Sequence, residues 1–476
     1  MEKTKKNNFF RKIAFASADL FGGGSFNIIN FLYPYFLAKV VGINPFWSGF
    51  IIIVARIYDA IIDPFIGWLS DRTSSKFGKR RLYLIICSPL IVVGMFLMFY
   101  PFNFSNQAYQ IIAVFLAYII FVTIQSTVMI PYFSLSSEIA SDYQNRASFN
   151  TYRLGFSIFA SILCVAVPKL IVDAFGDPRV GYQVMSLSFG VFFGSSLLFS
   201  GFFAKEEIVT PPIKTKLNFK TIFEPLKSKP YRQYLYLMLL TATTMAVMSG
   251  MFFFYIDFYV MQDVTRSGET NIFGTIAAGL MFLMQIVALP IYLKMIKKKG
   301  KAFTYRFGAY IWIITGLVLL LIPTNSNPIY IIVLACVMGF GISAPGLVPH
   351  TMFGDVADAG QLQFKKRIEG QMSGVTNFVD QIGQGAGLGL AMIILGFSSF
   401  KEDNLYENII YTEQPESALL ALKIIMAVTP LIFLSVAIII TFFYKIDAKE
   451  QKRIKDEIAL LNADLNKSTE LENEKA

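Results

Sequence analysis

Residues 82–100 and 329–341 carry no charged side chain, and apolar runs of this kind recur along the whole 476-residue chain. Each run reaches or approaches the ~20 residues that a helix needs to cross a ~30 Å hydrocarbon core. Open strands cannot satisfy their backbone groups in lipid, so helix is the only economical form for these runs. An all-α membrane protein is therefore expected. Composition agrees: 55% of residues are hydrophobic and 16% charged, where a soluble domain carries roughly a quarter charged. The 33 glycines, spread through the apolar segments, suit close helix approach in lipid.

Twelve transmembrane helices are read at 13–38, 46–70, 82–101, 107–133, 148–172, 182–204, 231–261, 272–296, 303–323, 328–350, 371–397 and 417–444. Charge then sets topology. Basic residues crowd the N-terminus (Lys3 to Lys12), the loop from Arg72 to Arg81, the linker before Arg232, the loop at Lys297–Lys301, the pair Lys365–Arg367 and the tail. The intervening loops hold only Lys39, Lys169 and Arg179, Arg266, and Lys401. By the positive-inside rule both termini are cytoplasmic in a plasma membrane, expected to be bacterial. The net charge of +10 is thus a topology signal, and no nucleic-acid partner is expected.

A proline-bearing linker over 205–230 (Pro211, Pro212, Pro225, Pro230) divides the chain into a first six-helix half, 1–204, and a second, 231–444, with a charged tail, 445–476. Two such halves suggest a monomeric carrier that rocks about a solute held between them. The basic N-terminus leads into a segment too long for a signal-peptide core, so no cleaved leader is expected. Cys87, Cys164 and Cys336 lie in apolar runs and read as core residues, and the single His350 excludes a histidine cluster. No resident metal or cofactor is expected. A membrane-embedded enzyme would need acidic metal-binding clusters, and only Asp355 and Asp358 approach one, so the chain is not read as an enzyme.

Ionised side chains in the bilayer are costly and mark function. Arg56, Asp59 and Asp63 recur at i, i+3 and i+7 on one face of the second span. Two carboxylates one turn apart can hold a cation between them or share a proton; the alternative is an Arg–Asp pair with Asp63 anchoring the helix end. Ser126 and Thr127 in span four can complete an oxygen shell, or bond their own backbone. Asp19 precedes Gly22-Gly23-Gly24-Ser25, which permits close packing or local unwinding. It can accept from solute hydroxyls or pair with a basic neighbour. Arg153 can donate to a diol, a carboxylate or Asp19, or only balance the Asp59/Asp63 charge. Asp380-Gln381 in span eleven can bind a proton or a solute hydroxyl, and Asp257 adds a further acid in half two. Tyr33, Tyr132, Tyr152 and Tyr255 can stack on a sugar face.

The stretch Arg56-Ile-Tyr-Asp59-Ala-Ile-Ile-Asp63-Pro64 through Asp71-Arg72, Gly78, Lys79, Arg80 and Arg81 resembles the glycoside–pentoside–hexuronide:cation symporters, the melibiose-permease-like branch of the major facilitator superfamily. Gly354-Asp355-Val-Ala-Asp358 through Arg367-Ile-Glu369-Gly370 matches in half two, and Asp19 with Tyr33 and Val41-Gly42 matches more weakly. The resemblance implies the major facilitator fold and symport of a sugar, glycoside or uronide with H+ or Na+; a lysolipid or other amphiphile is the alternative cargo. It implies that Asp59 and Asp63 belong to the cation site and that Asp19 and Arg153 lie on the sugar side. Asp71, Arg72, Gly78, Arg80 and Arg81 would form a cytoplasmic gate network, with Asp355, Asp358, Arg367 and Glu369 as its counterpart.

Three departures qualify it. Asp380-Gln381 stands where many relatives have Gln-Lys, so the cavity charge differs. Ile62 replaces an Asn beside the second carboxylate, which favours H+ over Na+ because sodium needs several oxygens. Met129 replaces a sugar-site aspartate, so melibiose itself is not the expected cargo.

Overall fold

The structure, a computed structural model, describes residues 2–140, 143–206, 224–263, 272–365, 368–403, 405, 410–411, 413–444, 446–447, 449–458 and 460. The helices are α1 (Glu2–Ser17), α2 (Asp19–Lys39), α3 (Pro45–Arg72), α4 (Arg81–Met98), α5 (Gln107–Glu138), α6 (Tyr143–Asp173) and α7 (Pro178–Phe203). After the linker come α8 (Lys229–Tyr255, extended by a π-helical turn over Ile256–Val260), α9 (Ile272–Lys299), α10 (Lys301–Leu319), α11 (Pro328–Phe364), α12 (Glu369–Phe397) and α13 (Glu416–Phe443). The first crossing is α1 and α2 together, interrupted at Ala18, whose carbonyl accepts from both Phe21 N and Gly22 N. The expected single segment 13–38 is in that respect two helices meeting just before Asp19. Twelve crossings result, six in each half.

Ten of these helices are long and apolar enough to cross a membrane by length and composition alone; α2 and α3 are not among them. Those two carry Asn27, Asn30, Arg56, Asp59 and Asp63. The helices least suited to lipid are the ones that bring polar groups to the centre. On α3 the sides are sharply divided. Ile57, Ile61, Phe65 and Leu69 recur every four residues and are exposed to the surroundings, while Arg56 and Asp59 are buried on the other side.

Four helix starts share one device. Asn44, Asn106, Asp177 and Asn327 each accept from the backbone N–H two residues on, at 2.8 to 3.0 Å. Proline follows three of these caps, at Pro45, Pro178 and Pro328, where its missing N–H costs nothing. All four caps lie at the end of the bundle poor in Lys and Arg, here termed the far face. The opposite end, with Arg72–Arg81 and Lys297–Lys301, is the basic face.

Three seams join the halves: α3 with α12, α2 with α8, and α6 with α9. The α3–α12 seam is the most extensive and is built on glycine. A Cβ on Gly389 would stand 2.8 Å from the Gly49 carbonyl oxygen, so the two backbones touch where any larger residue would separate them. At the basic face a helical stretch over 449–458 folds back onto half two, with Ile454 buried and Asp447 capping its start through Lys449 N and Glu450 N.

Candidate cation and solute sites

The acidic pair sits in the α3–α12 seam. Ser126 Oγ donates to Asp59 Oδ1 at 2.6 Å and also reaches Asp63. Arg56 lies 3.9 Å from Asp59 Oδ2, donates to Asn30 Oδ1 at 3.2 Å, and stacks 4.6 Å over the Phe26 ring. Arg56 is thus shared between Asp59, Asn30 and the Phe26 ring, a loose partner of the acidic pair. From the other half, Gln381 Nε2 donates to Asp63 Oδ2 at 2.7 Å. Asp63 Oδ1 and Gln381 Oε1 are then both buried without a hydrogen-bond partner. Buried acceptors without a donor are costly. A proton or a hard monovalent cation between them is the group that would satisfy both. Among the described residues no three His, Cys, Asp or Glu side chains converge.

Gln381, expected on the solute side, thus stands with the acidic pair. Thr127 donates to the Thr123 carbonyl at 2.6 Å, the backbone alternative weighed for it. Asp19 accepts from Ser157 and feels the charge of Arg153, so these two form a unit between α2 and α6. Gly23 and Gly24 remain helical there, and a Cβ on either would strike α6: the glycines serve close packing. Tyr152 packs edge-on against Phe9 on α1, with ring centroids 6.0 Å apart. Tyr132 OH donates to the Phe15 carbonyl and Tyr255 OH to the Leu319 carbonyl, each at 3.0 Å. Tyr33 lies 4.7 Å from the Tyr118 ring. These rings are part of the packing.

A cavity of about 260 Å³ lies elsewhere, between α2, α8, α11 and α12, with α9 and α10 behind. Asp380 lines it, together with Asn27, Asn30 and Gln384, which sequence reasoning did not single out. Gln384 Nε2 donates to Asp380 Oδ2 at 2.7 Å. The spacing was there to be read: Asn27 and Asn30 are one turn apart, as are Asp380 and Gln384. Toward the far face the cavity ends on Phe31, whose ring packs 5.8–6.0 Å from Phe252, Phe253 and Phe282.

The far face is closed by ion pairs between halves. Lys39 meets Asp403 at 2.5 Å and the Tyr411 carbonyl at 3.2 Å, while Asp403 N donates to the Ala38 carbonyl. Lys169 lies 3.2 Å from Asp173 and 3.8 Å from Asp257, and Tyr35 hydrogen-bonds to Asp257. Asp257 occupies the π-helical turn, a distortion common at functional positions.

Among the described residues, the ion pairs seen at the basic face run within a half. Arg80 meets Asp71 at 2.5 Å, Ser70 Oγ at 2.6 Å and Glu138 at 3.3 Å. Glu206, not foreseen, gathers the backbone N–H groups of Lys79, Arg80 and Arg81. Gly78, at φ +103°, makes that turn possible. Arg81 donates to the carbonyls of Gly201 and Phe202, and Arg72 lies 4.2 Å over the Trp68 ring. In half two Asp355 meets Lys301 at 2.5 Å and accepts from Gln451 of the tail. Asp358 is half-buried one turn on, and Arg367 lies outside the described residues.

A family model described as MFS/sugar transport protein matches residues 14–448. YagG of Escherichia coli (strain K12), named as a glycoside/cation symporter, is 24% identical, with 91% of each chain covered. The sodium-dependent lysophosphatidylcholine symporter 1-B of Danio rerio is 23% identical over 91% of this chain and 86% of its own. Among solved structures, a bacterial homologue of the human drug peptide transporters PepT1 and PepT2 superimposes with a TM-score of 0.64 at 12% identity, over 94% of this chain and 99% of its own.

Proposed function

Because the chain belongs to the MFS/sugar transport protein family, we propose that it is a secondary active transporter that moves a sugar or glycoside together with a cation, H+ or Na+, by alternating access. The observation that carries this reading is the Asp59–Asp63 pair, buried between the halves with the Asp63 Oδ1 and Gln381 Oε1 acceptors left over. A cation there, together with the Arg56 guanidinium, balances the two carboxylates and bridges α3 to α12, so its arrival favours the arrangement in which these helices are packed. The solute then binds beside a seam whose charge is offset. By mass action each ligand raises affinity for the other.

Ile62 favours H+, whereas Gln381 Oε1 offers Na+ an oxygen from the second half. Thermal stabilisation of purified protein by Na+ against K+, at two pH values, separates the two. The basic face is assigned to the cytoplasm of a plasma membrane, and one chain suffices, because its two halves enclose the cavity. Asp71, Arg72, Gly78, Arg80, Arg81, Asp355, Asp358 and Arg367 retain a conformational role at that face. The lysophosphatidylcholine relative keeps an amphiphile as second reading, but no Lys or Arg lines the cavity to meet a phosphate.

Uptake into energised vesicles tests coupling. A 100 mV potential is worth about 2.3 kcal/mol per charge, or roughly 50-fold accumulation. Asp59→Asn is expected to reduce accumulation to simple equilibration while exchange of labelled for unlabelled solute continues. Full accumulation by this variant would remove the coupling role.

A further inference from the structure

The cavity has two chemically different sides. One edge, from α2 and α12, presents Asn27, Asn30, Asp380 and Gln384. It is weighted toward acceptors. Asp380 is a carboxylate, Gln384 Oε1 is buried without a partner, and Asn27 Nδ2 is already committed to the Gly23 carbonyl. Such an edge calls for hydroxyl donors on the solute.

The opposite side, from α8 and α11, is Met238, Met245, Met248, Met338, Ile342 and Pro345. Its two hydroxyls are occupied. Thr241 bonds the Leu237 carbonyl and Tyr305 OH, each at 2.8 Å, and Ser249 bonds the Met245 carbonyl at 2.8 Å. A solute hydroxyl turned this way meets mostly thioether and aliphatic surface, with Gln285 on α9 and His350 on α11 as the remaining polar side chains. Methionine thioethers, by contrast, adapt to an aromatic ring and contact its edge favourably. Behind this side, Trp312 holds a buried N–H without a partner, a donor that suits an ether oxygen rather than a hydroxyl hydrogen.

Charge narrows the class further. No Lys or Arg is among the lining residues. The nearby Arg56 is held by Asn30, Asp59 and the Phe26 ring. A uronate or phosphate would have to sit beside the Asp380 carboxylate, with His350 in the lining and the already engaged Arg56 behind Asn30 as the only basic side chains described near it. The 260 Å³ volume is just under the about 300–1,000 Å³ usual for drug-sized ligands, which suits a monosaccharide carrying one further small ring and excludes larger oligosaccharides.

We infer that the solute site is this cavity against half two, apart from the Asp19–Arg153 pair, and that it takes an uncharged hexoside or pentoside bearing an apolar, preferably aromatic, aglycone. The sugar ring lies on the α2–α12 edge and the aglycone on the methionine side. This rests on the symport reading above.

Calorimetry on the full chain in lipid nanodiscs tests it with methyl and phenyl β-pyranosides of glucose, galactose and xylose, and with the phenyl glucuronide. For any sugar that binds, the phenyl glycoside is expected to bind roughly tenfold tighter than the methyl glycoside, from the apolar area it buries. The glucuronide is expected to bind more weakly than the phenyl glucoside. Met245→Gln, close in volume but polar, should remove most of the phenyl advantage, read as the ratio of phenyl- to methyl-glycoside affinity in the variant against the native protein. Equal affinity for the methyl and phenyl forms, or preference for the glucuronide, overturns the inference, and the wild-type comparison alone decides this if the variant fails to fold. Binding of none of these glycosides overturns it together with the sugar reading. The cation-coupling reading stands or falls separately, on Asp59→Asn.

Discussion

The two ends of this molecule use buried charge in opposite ways. At the far face, Lys39–Asp403 and Lys169–Asp257 each join a cation of half one to an acid of half two. At the basic face, Arg80 with Asp71 and Glu138 belongs to half one, and Lys301 with Asp355 to half two. Glycine spacing repeats the contrast. Toward the far face, a Cβ on Gly49, Gly389 or Gly396 would strike the other half, whereas at the basic face one on Gly78 or Gly360 would meet its own half, at Glu206 and Met372. Pairs across a boundary hold one state and must break for transport; pairs within a half keep it rigid while it moves. Among the described residues, the ion pairs that join the halves lie at the far face.

The largest expected effect on this contrast comes from Asp403→Asn. Lys39 and Asp403 are both nearly inaccessible, with side chains 8% and 6% exposed, and stranding one partner of such a pair costs about 3–5 kcal/mol. That approaches the ~5.5 kcal/mol that takes a two-state population from 1:99 to 99:1. Spin labels at Ser105→Cys and Thr324→Cys, on far-face loops of the two halves, are expected to report a longer distance in this variant. An unchanged distribution would mean that the bridge does not hold the state.

Asp257→Asn should act in the same direction but less, by about 1.5–3 kcal/mol, because Lys169 keeps Asp173. The same label pair reads it, and an effect larger than that of Asp403→Asn would reverse the ranking of the two bridges. Arg80→Ala should leave the far-face distance unmoved while lowering the melting temperature, since it removes the cation that joins Asp71 and Glu138 inside one half. A far-face shift from Arg80→Ala would break the distinction between the two ends.

Much of this was legible in the sequence, for a definite reason. Periodicity reports which face of a helix a residue occupies, and the i, i+3, i+7 spacing of Arg56, Asp59 and Asp63 opposite Ile57, Ile61 and Phe65 predicts both the lipid-facing side and the polar seam. It does not report what stands across from that face. Gln381 reaches Asp63 over a sequence separation of 318, and no local pattern links them. Lys39 and Lys169 were visible only as exceptions to the charge rule; their acids, Asp403 and Asp257, supply the reason that exceptions persist there. Thr127 went to its own backbone, an outcome that local sequence leaves open. The methionine side of the cavity reads as ordinary apolar helix until α8 and α11 are set facing the α2–α12 edge.

The account depends on the acidic seam exchanging its charge with a moving ion. Its most direct test is the cation flux that accompanies glycoside flux in proteoliposomes, measured for both species at once with phenyl glycoside as probe. A fixed cation-to-solute ratio in the native protein, falling to zero in Asp59→Asn while glycoside exchange persists, is the predicted result. The same ratio in both proteins would place the coupling ion elsewhere and contradict the account.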